Sequence, residues 1–257
     1  MKILVTGSKG FIGQNMIKEL KKDHEVVGVD WLDQFPDVKG LDWVVHLGAI
    51  SSTTDQRIHY IVRQNLEFSI YLYEECIRHG VNFQFASSAS VYGLVSDFKE
   101  TSTLNPQNHY ARSKAMFERY VELRDAPIIT QMFRYFNVYG PHEDHKGGQA
   151  SPHTQFTKQA KEFGLIKIFE KSEEYKRDFV NVAQIVDYHK RFFEVEESGV
   201  WNMGTGSAKS FYDVAKEIAS KHEAGIEYIK MPEILKDNYQ KFTQADMYKT
   251  HRTLSIK

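Results

Sequence analysis

Short apolar runs alternate along this chain with longer stretches in which apolar residues recur every three or four positions. Lys2-Ile-Leu-Val-Thr6 is a brief apolar run with β-branched content, the pattern of a buried strand. Behind it Phe11, Ile12, Met16, Ile17 and Leu20 repeat at helical spacing. Glu25 to Asp30, Asp42 to Gly48, Asn82 to Ala86 and Ile128 to Arg134 read as further strands. Helices are expected near Ile58 to His79, from Tyr110 to about Leu123, and from Ser210 to Ala219. Strands alternating with helices predict a doubly wound α/β fold, with parallel strands joined by crossover helices. Sites in such sheets lie beyond the strand carboxyl ends. The loops that begin at Gly7, Gly48, Ser87 and Phe136 should therefore converge.

From about Tyr139 the chain turns polar and glycine-rich, as in Gly140-Pro-His-Glu-Asp-His-Lys-Gly-Gly148, which reads as a loop entering a smaller lobe. Arg177 to Val180 and Gly199 to Met203 are expected to return to the sheet. The expected division is residues 1-138 and 178-204 in the sheet domain, with 139-177 and 205-257 in a smaller substrate-binding lobe.

The first strand runs into Gly7-Ser-Lys-Gly10-Phe-Ile-Gly13 and then a helix. Strand, glycine turn and helix form the context of a dinucleotide-binding loop, and hence of a Rossmann sheet. Gly7 allows the tight turn, Gly10 lets backbone approach a pyrophosphate, and Gly13 allows close packing of the helix. The helix start offers N–H groups and a positive dipole end to the anion. The second strand ends in Asp30, an acceptor for ribose hydroxyls, and no Lys or Arg follows until Lys39. That favours NAD over NADP. Between Asp30 and Val44 there is no room for the usual third strand, so its loss is expected.

Tyr110 and Lys114 stand four apart in His109-Tyr-Ala-Arg-Ser-Lys-Ala115, which places both on one helix face. An ammonium beside a phenol favours the phenolate, and the expectation is a tyrosine pKa lowered toward neutrality, fit for acid/base work.

Composition narrows the partners. The 257 residues carry a net charge of −1, so bulk electrostatics point to neither nucleic acid nor a membrane surface. The single cysteine, Cys76, excludes an internal disulfide. No apolar run nears the ~20 residues of a spanning helix, and the first strand begins at Lys2, so a cytoplasmic location is expected. His142 and His145 lack a convincing third ligand, and no metal site is expected.

Four ordered motifs carry a family resemblance: Thr6-Gly-x-x-Gly10-Phe-Ile-Gly13, Ser87-Ser-Ala-Ser-Val-Tyr-Gly93, Tyr110-x-x-x-Lys114 and Arg134-Tyr-Phe-Asn-Val-Tyr-Gly-Pro141. Together they resemble the extended short-chain dehydrogenase/reductase family. Ser51-Ser-Thr-Thr54, Ser96-Asp-Phe98, Glu143-Asp-His-Lys-Gly147, Lys176-Arg-Asp-Phe-Val180 and Tyr239 to Asp246 resemble its ADP-heptose 6-epimerase branch.

The resemblance implies a nucleotide-sugar epimerase with bound NAD or NADP, a small-molecule nucleotide sugar as substrate, and a homo-oligomer. It implies that Tyr110 is one acid/base, that Lys114 holds the nicotinamide ribose, that Ser88 bonds the reacting oxygen and that Lys146 is a second acid/base. Implied cofactor positions are the loop Gly7, Gly10, Phe11, Ile12 and Gly13, then Asp30, Trp31, Leu47, Gly48, Ala49, Ser51, Asn65 and Val138. Implied sugar-nucleotide positions are Asn137, Phe169, Ser172, Arg177 and Tyr239.

A second base also has a physical rationale. Inverting a carbinol through a ketone removes hydride from one face and returns it to the other, so the hydroxyl proton lies in two different places. Arg177 can pair with Asp178 or bind phosphate, and bidentate phosphate contact is preferred. A dehydratase would need an acid pair after Ser88, where Ala89 and Ser90 stand. A 4-epimerase, a reductase or a non-catalytic dinucleotide sensor are the alternatives. Gly148 and Gln155 depart from the serine and histidine the resemblance implies, and the closing C-terminal helices are expected to be missing.

Overall fold

The computed structural model describes residues 1–30, 35–232 and 240–256. Trp31 and Tyr239 lie outside them.

The main sheet has six parallel strands: β1 (Lys2–Thr6), β2 (Glu25–Val29), β3 (Trp43–His46), β4 (Asn82–Ser88), β5 (Thr130–Tyr135) and β9 (Gly199–Met203), in the order β2-β1-β3-β4-β5-β9. The interior strands are buried on both faces because helices cover both. β2 forms one edge, and no further strand lies beyond it among the described residues. Shortening between Asp30 and Trp43 thus leaves the sheet intact.

Helix α1 (Phe11–Leu20) and helix α6 (Val182–Phe192) pack against each other on one face. The other face carries the helical run α2 (Ile58–Ile61), a wide π-helical segment (Val62–Glu67) and α3 (Phe68–His79), with α4 (His109–Glu122) beside it. Gly80, at φ 67°, ends α3 in the left-handed conformation that glycine adopts without cost. Asn108 starts α4 by accepting the Ala111 N–H at 2.8 Å, a cap that fixes the helix start two residues before Tyr110.

The smaller lobe departs from the sequence expectation. Arg177 to Val180 does not rejoin the main sheet. It lies in β8 (Lys176–Asn181), the centre of a separate sheet with β6 (Asn137–Tyr139) and β10 (Ala208–Ser210). The β-branched and aromatic content that suggested a sheet strand is present, but its pairing partners come from the lobe. Beneath it α5 (Pro152–Phe163) and α7 (Phe211–His222) pack together over a two-stranded sheet of β7 (Leu165–Phe169) and β11 (Gly225–Ile229). A short helix, α8 (Tyr248–Thr253), follows Asp246 and packs on β9.

Tyr73, Phe83, Phe85 and Phe117 fill the core under α3 and α4. Tyr71, by contrast, is 39% exposed.

A buried polar network crosses the main sheet. Arg134, on β5, grips Glu118 of α4, with Nη2 to Oε2 at 2.6 Å and Nε to Oε1 at 3.1 Å. Ser87 of β4 donates its hydroxyl to the same carboxylate. Arg134 also reaches the Tyr92 hydroxyl and the Glu100 carbonyl, and Tyr92 donates to Asn202 of β9. Removing one member of a buried pair strands the other charge, at about 3–5 kcal/mol. Arg134→Leu is therefore expected to lower the unfolding free energy by about that amount in urea titration. A loss below about 1 kcal/mol, the range of exposed pairs, would show that the network does not hold the sheet to α4.

Candidate active site

The glycine turn is formed as its spacing implies. Gly7 has φ 66°, and a Cβ on it would lie 2.8 Å from the backbone of Gly48. A Cβ on Gly13 would sit 2.0 Å from the Gly7 carbonyl oxygen, so the third glycine lets α1 pack on the turn itself. A Cβ on Gly10 would stand 3.1 Å from that same oxygen. The Gln14 N–H is the first to bond back, to Gly10. The preceding N–H groups of Phe11 and Ile12 have no acceptor within the helix, which is what an anion at a helix start requires.

Two cavities meet beyond the strand ends. The smaller, about 360 Å³, is lined by Gly7, Gly10, Phe11, Ile12, Gly13, Asp30, Leu47, Gly48, Ala49, Ser51, Tyr110 and Lys114. Asp30 sits at its far end and accepts the Lys9 backbone N–H at 2.7 Å. The glycine cradle and this terminal carboxylate fit an extended dinucleotide.

The larger cavity, about 930 Å³, holds Ser88, Asn137, Val138, Phe169, Ser172 and Arg177. Val138, implied for the cofactor, thus faces the larger space. Phe11, Ile12, Ser51, Tyr110 and Lys146 line both.

Asn65 lines neither. The π-helical widening places it at the back of the site. Its amide accepts from Ile50 N–H at 2.8 Å, donates to the Ile50 carbonyl at 2.9 Å and reaches Ser113 of α4 at 3.1 Å. It holds the loop after β3 against α4, and so shapes the wall that Gly48 and Ser51 present.

The electrostatics differ from the expectation for Tyr110. Burial pushes its pKa up, opposed by a hydrogen bond with Ser88. Lys114 does not lower it. The ammonium nitrogen lies 5.9 Å from the Tyr110 ring centre and 4.4 Å from that of Phe85. Burial depresses Lys114 itself to about 7, opposed by the Glu118 carboxylate. A lysine that has lost most of its hydration is a weak cation near neutrality, and it stabilises a phenolate correspondingly less.

Lys146 is also depressed by burial, with Glu143 opposing. Its nitrogen lies 5.2 Å from the centre of the Phe11 ring.

Arg177 does not pair with Asp178. Neighbouring strand residues point to opposite faces. Asp178 turns into the core and accepts from Thr205, Gly206 and Ala245. Arg177 lies on the cavity side with its guanidinium carbon 5.6 Å from the Phe211 ring.

Several lining residues were not anticipated, notably Gln64 and Phe68 in the smaller cavity, and Gln159, Lys167, Ile229 and Met231 in the larger. For Gln159, Lys167 and Ile229 the signal is the inward face of α5, β7 and β11, which must be recognised first, whereas Gln64 lies in the π-helical widening and Phe68 at the start of α3 directly after it.

Comparison with known proteins agrees with this geometry. Residues 3–204 match the NAD dependent epimerase/dehydratase family. A curated relative, ADP-L-glycero-D-manno-heptose-6-epimerase from Brachyspira hyodysenteriae, is 35% identical over 285 aligned positions, covering 96% of this chain and 90% of the relative. Among solved structures, ADP-L-glycero-D-manno-heptose-6-epimerase of Helicobacter pylori superposes with a TM-score of 0.88 at 25% identity, over 99% of this chain and 90% of that one. UDP-N-acetylglucosamine 4-epimerase from Methanobrevibacter ruminantium shares the fold, with a TM-score of 0.90 at 24% identity, over 100% and 92%. The chain belongs to the NAD dependent epimerase/dehydratase family.

The Lys114 environment has a pH signature. With a folded pKa of about 7 against an ordinary 10.5, the unfolded state holds this proton where the native state releases it. Lys114 therefore destabilises the fold fully below pH 7, and stability recovers as pH rises from 7 toward 10.5. Lys114→Met is expected to be more stable than the parent at pH 6, with the gap narrowing toward pH 10 in thermal or urea unfolding. A pH-independent gap would mean that Lys114 keeps its ordinary pKa.

Proposed function

We propose that this chain is an NAD-dependent nucleotide-sugar epimerase whose substrate is ADP-D-glycero-D-manno-heptose, inverted at C6. The observation that carries the reading is the meeting of the two cavities at Tyr110 and Lys146, two proton-carrying groups on separate elements. The curated relative's activity supports the choice of sugar.

A nicotinamide cofactor held by the glycine turn and Asp30 would supply reversible hydride transfer at the carbinol carbon. The chain's residues do the rest. Ser88, which lines the larger cavity together with Tyr110, aligns the reacting hydroxyl. Tyr110 takes its proton as the ketone forms. Lys114 lies behind Tyr110 and orients the cofactor ribose. After the sugar turns over, Lys146 supplies the proton to the oxygen on the other side. Phe11, Ile12 and Ser51 close the wall between the two cavities.

Lys146, Lys167 and Arg177 line the larger cavity against a single carboxylate, Glu143, among the described residues. That balance suits a diphosphate, with Arg177 its bidentate partner. Asp30 selects NAD through the ribose hydroxyls, since the 2′-phosphate of NADP would meet its negative charge. Ala89 and Ser90 line the site beside Ser88, where dehydration would need an acid pair.

Another nucleotide sugar is the second reading. Gln155 donates to the Gly148 carbonyl at 3.1 Å and the Ala150 carbonyl at 2.6 Å, so it braces the wall instead of reaching into the cavity. A Cβ on Gly148 would meet nothing within 4 Å. This stretch leaves open space where a different hydroxyl pattern would fit.

The test incubates the protein and NAD with ADP-D-glycero-D-manno-heptose and follows the product by proton NMR. Both C6 epimers at equilibrium, with no net NADH, are expected. No conversion despite measured NAD binding would remove this sugar and direct the search to others. Tyr110→Phe and Lys146→Met are each expected to lower kcat by about 10²–10⁴-fold. Near-parental turnover by the Lys146 variant would overturn the two-base mechanism.

A further inference from the structure

We propose that Glu143 is a positioning residue for Lys146, fixing the turn that carries it and joining that turn to the α5 wall of the sugar cavity. The proposal rests on the reading of Lys146 as the second acid/base.

Glu143 is 1% exposed, and its carboxylate is surrounded by donors. Oε1 accepts from the Gly140 N–H at 2.9 Å, the Ser151 hydroxyl at 2.9 Å and the Thr154 hydroxyl at 3.1 Å. Oε2 accepts from the Ser151 N–H at 2.6 Å. Its main-chain carbonyl accepts the Lys146 N–H at 2.9 Å. One side chain therefore ties together both ends of the turn from Gly140 to Ser151, while its backbone holds the lysine.

Ser151 is the cap of α5, whose Gln155 and Gln159 form part of the wall of the larger cavity. A carboxylate here also meets the positive end of the α5 dipole. Without it the half of the turn after Lys146 is still held by Gln155, through the Gly148 and Ala150 carbonyls, but the half before it loses its tie to Ser151. The turn is polar, Gly147 sits at φ 52°, and neither Gly147 nor Gly148 has a neighbour within 4 Å of a Cβ position.

Outside the turn two contacts reach the sheet domain. Asn15 donates to the Pro141 carbonyl at 3.0 Å, and Gln149 donates to the Ser52 hydroxyl at 2.9 Å. These orient the turn as a body, whereas Glu143 sets its internal shape.

The same carboxylate has an electrostatic effect. The charged or titratable groups lining the two cavities include Asp30, Tyr110, Lys114, His145, Lys167 and Arg177, beside Glu143. Of these, Glu143 is the one whose charge acts on Lys146, and it favours the protonated amine against burial. Removing that charge leaves burial unopposed, so the Lys146 pKa falls further.

The test compares the parent with Glu143→Gln, which keeps the side chain's size, and with Glu143→Gln in a Lys146→Met background. The first readout is independent of the sugar. Trace acetylation of the Lys146 amine is followed by peptide mass spectrometry across a pH range, with exposed Lys39 as internal reference. In Glu143→Gln the Lys146 labelling curve is expected to move to lower pH, while that of Lys39 stays in place.

The second readout is kcat on the substrate. A loss of tenfold or more is expected in the parent background, with KM changed less than about threefold and the Lys146→Met background slowed no further. NAD affinity equal to the parent's shows that the variant is folded. An unmoved labelling curve, or equal slowing in both backgrounds, would overturn the proposal. If Glu143→Gln fails to fold, Thr154→Val keeps the charge and removes one of the four donors, and a kcat loss in the parent background with no further slowing in the Lys146→Met background is then required. Failure of the sugar assay alone, with the labelling shift present, would count against the substrate and leave the positioning role standing.

Discussion

The Arg134–Glu118 pair is the constraint on which the site depends. Glu118 lies one helical turn after Lys114, and Lys114 one turn after Tyr110, so a single face of α4 carries all three. Arg134 fixes that face to β5, and the Ser87 hydroxyl fixes it to β4 immediately before Ser88. Tyr110, Ser88 and Lys114 are thereby registered against the ends of two neighbouring strands. With side-chain exposures of 3% and 1%, neither charge is solvated. Such a pair adds little net stability over an apolar substitute. Its value here is directional, because two forked groups accept few alternative geometries.

Burial also decides which groups can do chemistry. Lys114 and Tyr110 are each held in a medium that disfavours their ionised forms, so the pair is close to neutral at pH 7. Glu118 is already engaged by Arg134 and Ser87, and it offsets only part of the lysine's lost hydration. Burial thus favours the protonated phenol and the neutral amine, and a charge brought into the site would be needed to favour the phenolate. Lys146 shows the same balance, with burial lowering its pKa and the Glu143 carboxylate opposing, as Glu118 does for Lys114.

How much of this was legible depends on the range of the interactions involved. The glycine turn, Asp30 and the Tyr110–Lys114 spacing are local patterns, and the main sheet followed from strand and helix periodicity. Position within the site was less accessible. Asn65 reaches Ile50 and Ser113 through a π-helical turn that no spacing rule announces. The placement of β8 was missed because its partners, β6 and β10, are three residues long and carry no periodicity. The expected lowering of the tyrosine pKa failed because it assumed a fully charged lysine, and charge state depends on burial by Phe85 and the sheet above it.

Alternation along β8 explains why one strand serves both stability and function. Asp178 points inward and receives the Thr205 N–H and hydroxyl at 2.8 and 2.6 Å, the Gly206 N–H at 2.9 Å and the Ala245 N–H at 3.0 Å. It thus ties the turn after β9 to the C-terminal segment. Gly204 is required beside it, since a Cβ there would lie 2.8 Å from its carboxylate and 2.6 Å from Ala245. Arg177, one residue earlier, must then point the other way, into the larger cavity. A carboxylate satisfied by four donors has no remaining need of the guanidinium beside it in sequence. The arginine is therefore turned toward the larger cavity by the same pleat that places the aspartate in the core.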